Sequence, residues 1–295
     1  MPLLRSSLPT TLRLMQDFSI FYSWQSDSPP ESNKLLIRDA LRAAIDSRDL
    51  LVPAPRFESG MDGTAGSPEV ATVMFEKIRA CSVFVADVTL VGRITKGVGD
   101  EKIVKKAPNP NVSLEMGFAA ATIGWDRIIC VMNEADCFGT RNEQPFDVRN
   151  RRFPIDYRLE PEDANDPAKR AKALASLTKW MEKGLEAVEQ NELRKVEDAK
   201  RRLDIKCLDL ISVMGPKFGS FPEPTQATIA GCAELGLLPS DRFNAAVVRL
   251  LELDILYVNF DATRRNYAYH WTYLGEKLLT DLKVREPPNR GAAAT

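Results

Sequence analysis

Histidine is almost missing from this chain: the only one among 295 residues is His270. Ser–His and Cys–His nucleophile pairs are therefore excluded from the first two-thirds of the sequence, and a histidine-based metal site is disfavoured. Chemistry in the N-terminal half must rest on carboxylates, hydroxyls, arginines and backbone dipoles. The five cysteines, Cys81, Cys130, Cys137, Cys207 and Cys232, form no CxxC pair. A zinc ribbon or a disulfide framework is not suggested, and a reducing, cytoplasmic setting is expected. Cys81 and Cys130 sit in apolar runs and are expected as buried thiols. No run of 18 apolar residues occurs, so no membrane span is expected. A large charge of either sign is also lacking: the formal net charge is −1, which argues against a protein that coats nucleic acid. The opening "MPLLRSSLPTTLRLM" is broken by Pro9 and polar residues and reads as a loose arm over 1–17, not a signal peptide.

What is present is an alternation of apolar β-rich runs with helical patterns from residue 18 to about 133. "FSIFYSW" predicts a buried strand and "SNKLLIRDALRAAIDSRD" a helix with Ser32 or Asn33 as cap. "LLVPAP" predicts a short second strand. "SPEVATVMFEKIRAC" opens a helix with Ser67, Pro68 and Glu69 at its start. "SVFVADV" and "RIICVMN" predict the third and fourth strands, with the helix "NVSLEMGFAAATIG" between them, stopped by Gly124. The order implies a parallel, flavodoxin-like sheet with helices on both faces. The lysine-bearing "TKGVGDEKIVKKAPNPN" is expected as a mobile loop, either simply solvated or with lysines that steer an anionic ligand.

Further domains are expected after this one, which runs over 18–160. Residues 161–215 are charged, with Leu174, Leu177, Met181, Leu185 and Val188 on one stripe; this reads as one or two helices, broken near Asn191, forming a linker or stalk. The stripe suits a seam between helices or protomers, and equally a contact within the chain; on the first reading a fragment ending at Tyr157 is expected to be soluble alone. Residues 216–285 give a helix, two strands around "DATRRN" and a short helix, resembling a winged-helix unit. From Ser240 to Thr295 eight Lys/Arg face seven Asp/Glu, a balance that favours protein contact over DNA. Residues 286–295 are expected to be disordered.

The residue that stands out chemically is Glu115, a lone acid within "NPNVSLEMGFAAATIG". Burying a carboxylate is costly unless something compensates. In a doubly wound sheet, ligands sit beyond the carboxyl ends of the strands. Three segments meet there: "YSWQSDSPP", "ADVT" and the start of the Glu115 helix. They offer Ser23, Trp24, Asp27, Asp87, Thr89, Asn109 and Asn111 as candidates to bind a ligand, with Trp24 available to stack on a ring. Gly117, Ala119 and Ala120 are expected to keep the helix slim against the sheet. A carboxylate so placed can hold ribose hydroxyls or stabilise an oxocarbenium ion. The alternative is a carboxylate that caps a loop or pairs with a lysine. "PRFESGMDGTAGSPE", which includes Arg56, Glu58 and Asp62, is expected either as a loop over the pocket or as plain surface. The arginines of "PFDVRNRRFPIDY" can meet a diphosphate or pair with Asp147 and Asp156, and pairing is the expectation.

These motifs carry a resemblance. "FSIFYSWQSD" resembles the first strand and box of TIR-like domains. "ADVT" followed by "NPNVSLEMGFA" is similar to the D-x-(S/T)…N-P-N-V-x-x-E-x-G-x-A pattern of bacterial TIR-like and nucleoside 2-deoxyribosyltransferase-like proteins. The resemblance covers roughly Phe18 to Tyr157, with an insertion between the two motifs that is longer than a minimal member would carry. It implies that Glu115 acts on an N-glycosidic bond, that Asp62 belongs to the loop covering the pocket, and that NAD is a substrate, with no cofactor or metal required. It further implies a toxic effector of bacterial antiphage defence, switched on by assembly as a homo-oligomer or by a protein partner. A nucleoside or nucleotide deoxyribosyltransferase, or a nucleotide-binding scaffold without catalysis, are the other expectations.

Overall fold

The computed structural model describes residues 19–47, 56–58, 70–96, 103–135, 137–149, 154–215, 220–222, 240–261 and 265–284. The chain divides into two compact units. One comprises 18–189; the other takes 190–295 together with 1–17.

The first unit is built on a five-stranded parallel sheet. Its strands are β1 (Ser19–Ser23), β2 (Arg56–Glu58), β3 (Val83–Asp87), β6 (Ile128–Asn133) and β7 (Ile155–Tyr157), in the order β2-β1-β3-β6-β7. With the inserted hairpin set aside, this is the 2-1-3-4-5 order of flavodoxin-like folds, as the strand–helix alternation implied. Each central strand sends alternate side chains to opposite faces, and both faces are apolar. Ile20, Tyr22, Val83, Val85, Ile129 and Val131 line one core; Phe21, Phe84, Ala86 and Met132 line the other. Burial on both sides is why these strands read as unbroken apolar runs.

Helix α1 (Lys34–Asp46) covers the first face through Leu36, Ile37, Ala40, Leu41 and Ala44. Helices α2 (Val70–Ala80) and α3 (Pro110–Thr122) cover the second, through Ile78 and through Val112, Met116 and Ala119. The end of α3 follows the expectation for Gly124, which adopts φ +84° just beyond it. Cys81 is buried as expected; Cys130 is half-buried, 3.7 Å from the Met116 sulfur, and burial pushes its thiol up to about 12.

Several expectations change. The segment read as a mobile loop forms an antiparallel hairpin, β4 (Gly92–Lys96) with β5 (Ile103–Ala107). The cue was β-branched residues, Ile94 and Thr95 in "GRITK" and Ile103 and Val104 in "IVKKA", which the lysine content obscured. Lys106 on β5 pairs with Glu143 at 3.4 Å. A second strand is seen at Arg56–Glu58; "LLVPAP", on which it was expected, falls outside the described residues. Asn33 does occupy the N-cap of α1, but its side chain makes no capping hydrogen bond. In a short helix, α4 (Phe146–Arg149), Arg149 donates to the Asn142 carbonyl, and its expected pairing with Asp147 falls on a side chain outside the described residues. Arg151 and Arg152 lie outside the described residues, as do Ser67, Pro68 and Glu69.

The largest change concerns α5, one helix from Pro167 to Arg202 with no break at Asn191. Its apolar stripe is not an open seam. Leu177, Met181 and Leu185 are fully buried, and Val188 and Leu174 pack with them against the first face of the sheet. Gly184 lets the helix approach closely: a methyl there would sit 3.2 Å from the Ile129 side chain. Arg170 bonds Asp39 of α1 at 2.6 Å. The helix is charged around the rest of its circumference, so a narrow stripe suffices to cover a sheet already half covered by α1.

In the second unit, the last turns of α5 and helices α6 (Ile205–Met214), α7 (Ser240–Glu252) and α8 (Tyr273–Asp281) enclose a core. It includes Cys207, Leu210, Phe243, Leu250, Tyr269, Trp271 and Leu278. Strands β8 (Ser220–Pro222), β9 (Leu256–Asp261) and β10 (Asn266–Trp271) form an antiparallel sheet in the order β8-β10-β9. Among the described residues no helix is long and apolar enough to cross a membrane. The arm 1–17 and the tail 286–295 lie outside the described residues.

Candidate functional site

The carboxyl ends of β1 and β3 adjoin at the point where the strand order reverses, the place where flavodoxin-like sheets leave a crevice. β1 ends on Ser23. Because Tyr22 faces the α1 side, Ser23 faces the α3 side, and its hydroxyl donates to Glu115 Oε2 at 2.6 Å. Ser23 is buried and Glu115 is half-buried. Among the described residues, the other carboxylate oxygen, Oε1, makes no hydrogen bond or ion pair. Burial raises the Glu115 carboxyl above its ordinary value, and the Ser23 hydrogen bond, which favours the ionised form, opposes that rise. Among the described residues, Glu115 thus neither caps a loop nor pairs with a lysine.

The helix that carries Glu115 is set at its start by Asn109. The Asn109 side chain accepts from the backbone N–H groups of Asn111 and Val112 at 2.8 and 3.3 Å, and Pro110 fills the first helical position. The Asn109 amide group also donates to Asp27 Oδ2 at 2.6 Å. Asn111 is exposed on the first turn. The structure therefore brings Ser23 to Glu115, and Asp27 to Asn109, whose side chain caps the turn that carries Asn111.

The other expected site residues are placed differently. Asp87 is wholly buried and turned inward. It accepts from the Thr89 N–H at 3.1 Å and from the Thr89 hydroxyl at 2.6 Å, with Gln25 Nε2 at 3.5 Å. Burial raises its carboxyl, against the pull of these donors. Trp24 packs on the α1 face, opposite the side that Ser23 presents to Glu115, and the Lys34 ammonium lies 3.2 Å over its ring. That cation occupies a face where a ligand ring would stack. Asp62 lies outside the described residues, with most of the glycine-bearing loop around it. Gly117 does not serve a close approach: it is exposed, and a methyl there would meet nothing within 4 Å; of the small residues, Ala119 is the one packed against the sheet.

A buried polar network beneath these strand ends went unread in the sequence. Asn133 donates to Asn33 Oδ1 at 3.2 Å and to the Leu159 carbonyl at 2.9 Å, and accepts from the Ala135 and Leu159 N–H groups. Asn33 donates to the Thr89 hydroxyl at 3.0 Å, and Tyr157 donates to the Ser32 carbonyl at 2.8 Å. Gln25, also buried, donates to Ser28 and accepts from the Asp27 N–H, both at 2.8 Å. The available signal was a polar residue closing each apolar run: Asn133 ends "RIICVMN" and Asp87 ends "SVFVAD". Among the described residues no group of three or more His, Cys, Asp or Glu side chains is arranged to hold a metal ion.

No protein-family model matches the chain, and no curated protein matches its sequence.

Proposed function

We propose that the chain is a TIR-like N-glycosyl hydrolase that cleaves NAD, with Glu115 as its reactive carboxylate. The observation that carries this reading is the state of Glu115: a half-buried acid at the switch point of a flavodoxin-like sheet, held through one oxygen by Ser23, with its other oxygen unengaged among the described residues. A carboxylate kept in this way can face the positive charge that develops at the anomeric carbon as a glycosidic bond breaks. The bond from C1′ to the nicotinamide nitrogen breaks, and its electron pair leaves with neutral nicotinamide. Water then adds to the oxocarbenium carbon and loses a proton, giving ADP-ribose. The elevated carboxyl of Glu115 suits it to accept that proton.

The order β8-β10-β9, with α6 before β8 and α7 before β9, supports reading the second unit as a winged-helix-like unit. Among the described residues, those exposed on α7 are Asp241, Arg242, Asn244, Ala245, Val248 and Glu252. One cation against two acids favours a protein partner over DNA. The reading includes the role that the resemblance implies, an effector of bacterial antiphage defence switched on by assembly. Since the α5 stripe is spent inside the first unit, such assembly would use another surface.

The test is incubation of the pure full-length chain with NAD, and separately with deoxynucleosides, followed by mass spectrometry of the products. Nicotinamide with ADP-ribose or its cyclic form supports the reading. A free base from deoxynucleosides transfers it to deoxyribosyltransferase chemistry. Ligand retained without turnover would make the protein a nucleotide-binding scaffold.

A further inference from the structure

We propose that Asp27 is a positioning residue: with Asn109 it forms a latch that fixes the start of α3, and so sets Glu115 against Ser23. The proposal rests on Glu115 as the reactive group and names what places it.

Asn109 does two jobs. Capping α3 uses only its Oδ1, and Ser, Thr or Asp at that position would cap as well. An asparagine adds an amide donor to the capping acceptor, and here that donor meets the Asp27 carboxylate at 2.6 Å. The negative charge also lies at the positive end of the helix. Asp27 is in turn held from below. The buried Gln25 side chain accepts from the Asp27 N–H and reaches Ser28 and Asp87 with its amide group. A path of hydrogen bonds thus runs from the end of β3 through the β1–α1 loop into the first turn of α3. Its last link is one exposed carboxylate. Glu115 lies six residues past Asn109, about 9 Å along the helix axis. The Ser23–Glu115 bond loses strength beyond roughly 3 Å, so a small shift of that turn disengages it.

Two substitutions separate this role from a direct contact with ligand. Asp27→Ala removes the latch and leaves the cap. Asn109→Asp keeps a capping oxygen but sets two carboxylates face to face. The pair Asp27→Asn with Asn109→Asp exchanges donor and acceptor, restoring both bonds with the charge on the other side. Hydrogen exchange of the amides at 111–114, followed by mass spectrometry, should quicken by about tenfold or more in each single variant and return in the double variant. Nicotinamide release should follow the same pattern, with kcat falling about tenfold and KM changing by less than about threefold in the single variants. Unchanged exchange in both single variants would overturn the latch. So would a double variant with restored exchange that stays as inactive as Asp27→Ala, since Asp27 would then act on the ligand by its charge. If the wild-type chain releases no nicotinamide, the NAD reading fails and the exchange data still decide the latch.

Discussion

The Ser23 hydroxyl donates to Glu115 Oε2 across 2.6 Å, joining the last residue of the first strand to the middle of the third helix. The bond favours the ionised carboxylate, whereas burial disfavours it. Of the two, burial prevails, and the carboxyl sits above its ordinary value.

Ser23→Ala removes the hydrogen bond that opposes burial, so the Glu115 carboxyl should rise further. If turnover needs the ionised form, the acid limb of the kcat profile must move to higher pH in this variant, while the plateau changes less. A pH series of nicotinamide release checks this. An acid limb that stays in place, or moves to lower pH, would detach Ser23 from the ionisation of Glu115.

Glu115→Gln should cut turnover by about a hundredfold or more, the usual scale for loss of a preorganised charge partner. The same substitution should stabilise the fold at neutral pH. The folded carboxyl titrates above the unfolded one, so between the ordinary value of 4.5 and the raised value the native state holds more protons than the unfolded chain. Stability therefore falls as pH rises through that window, and the whole penalty is present above it. Glutamine carries no such penalty and still accepts from Ser23. The melting temperature of the variant should exceed that of the wild type at pH 7, and the gap should close as pH falls towards 4. A variant that melts lower at pH 7 refutes the strained-acid account.

Asn133 tests the network beneath the site. Its amide serves the Asn33 side chain, the Leu159 backbone in both directions and the Ala135 N–H, with no solvent access. Asn133→Ala would leave several of these groups buried and unsatisfied at about 1–3 kcal/mol each, softened by any water that enters. A total loss of about 2–4 kcal/mol in urea unfolding is expected, with Asp87 and Thr89 displaced as well. A loss below about 1 kcal/mol would mean that water replaces the amide without cost.

Much of this was legible in the sequence, for a physical reason. Strands buried on both faces must be apolar throughout, so "SVFVADV" and "RIICVMN" could be located, and with them the strand ends where ligands bind. Glu115 stood out because an acid in a helix of small apolar residues has to be accounted for. What stayed hidden depended on partners far apart in the chain. The cue at Asn33 was a helix cap, yet its side chain turns to Thr89 and Asn133, because a buried strand end offered better partners than α1 did. Trp24 looked like an aromatic at a crevice; alternation along the strand puts it on the α1 face, under Lys34. Asp87 looked ready for a ligand and is instead consumed by Thr89, two residues on. Periodicity reports that a stripe is buried but not against what, which is why the α5 stripe read as a seam.

That last point changes where the first unit must end. A fragment stopping at Tyr157 lacks α5, and with it Leu177, Met181, Leu185 and Val188, all packed on the face formed by Ile20, Tyr22, Val85 and Val131. Burying each large side chain contributes about 1.5–3 kcal/mol. Four of them amount to roughly 6–12 kcal/mol before conformational entropy is set against it. That is comparable to the net stability of an ordinary domain, about 5–15 kcal/mol. The Arg170–Asp39 pair would go as well. A fragment of residues 18–157 should therefore fail to fold cooperatively and should aggregate, whereas 18–189, the full compact unit, should show a single thermal transition. Circular dichroism in the near ultraviolet against temperature separates the two. A cooperative melt of 18–157 within a few degrees of that of 18–189 would show that α1 alone secures this face of the sheet, and the α5 stripe would again be free to serve as a contact between protomers.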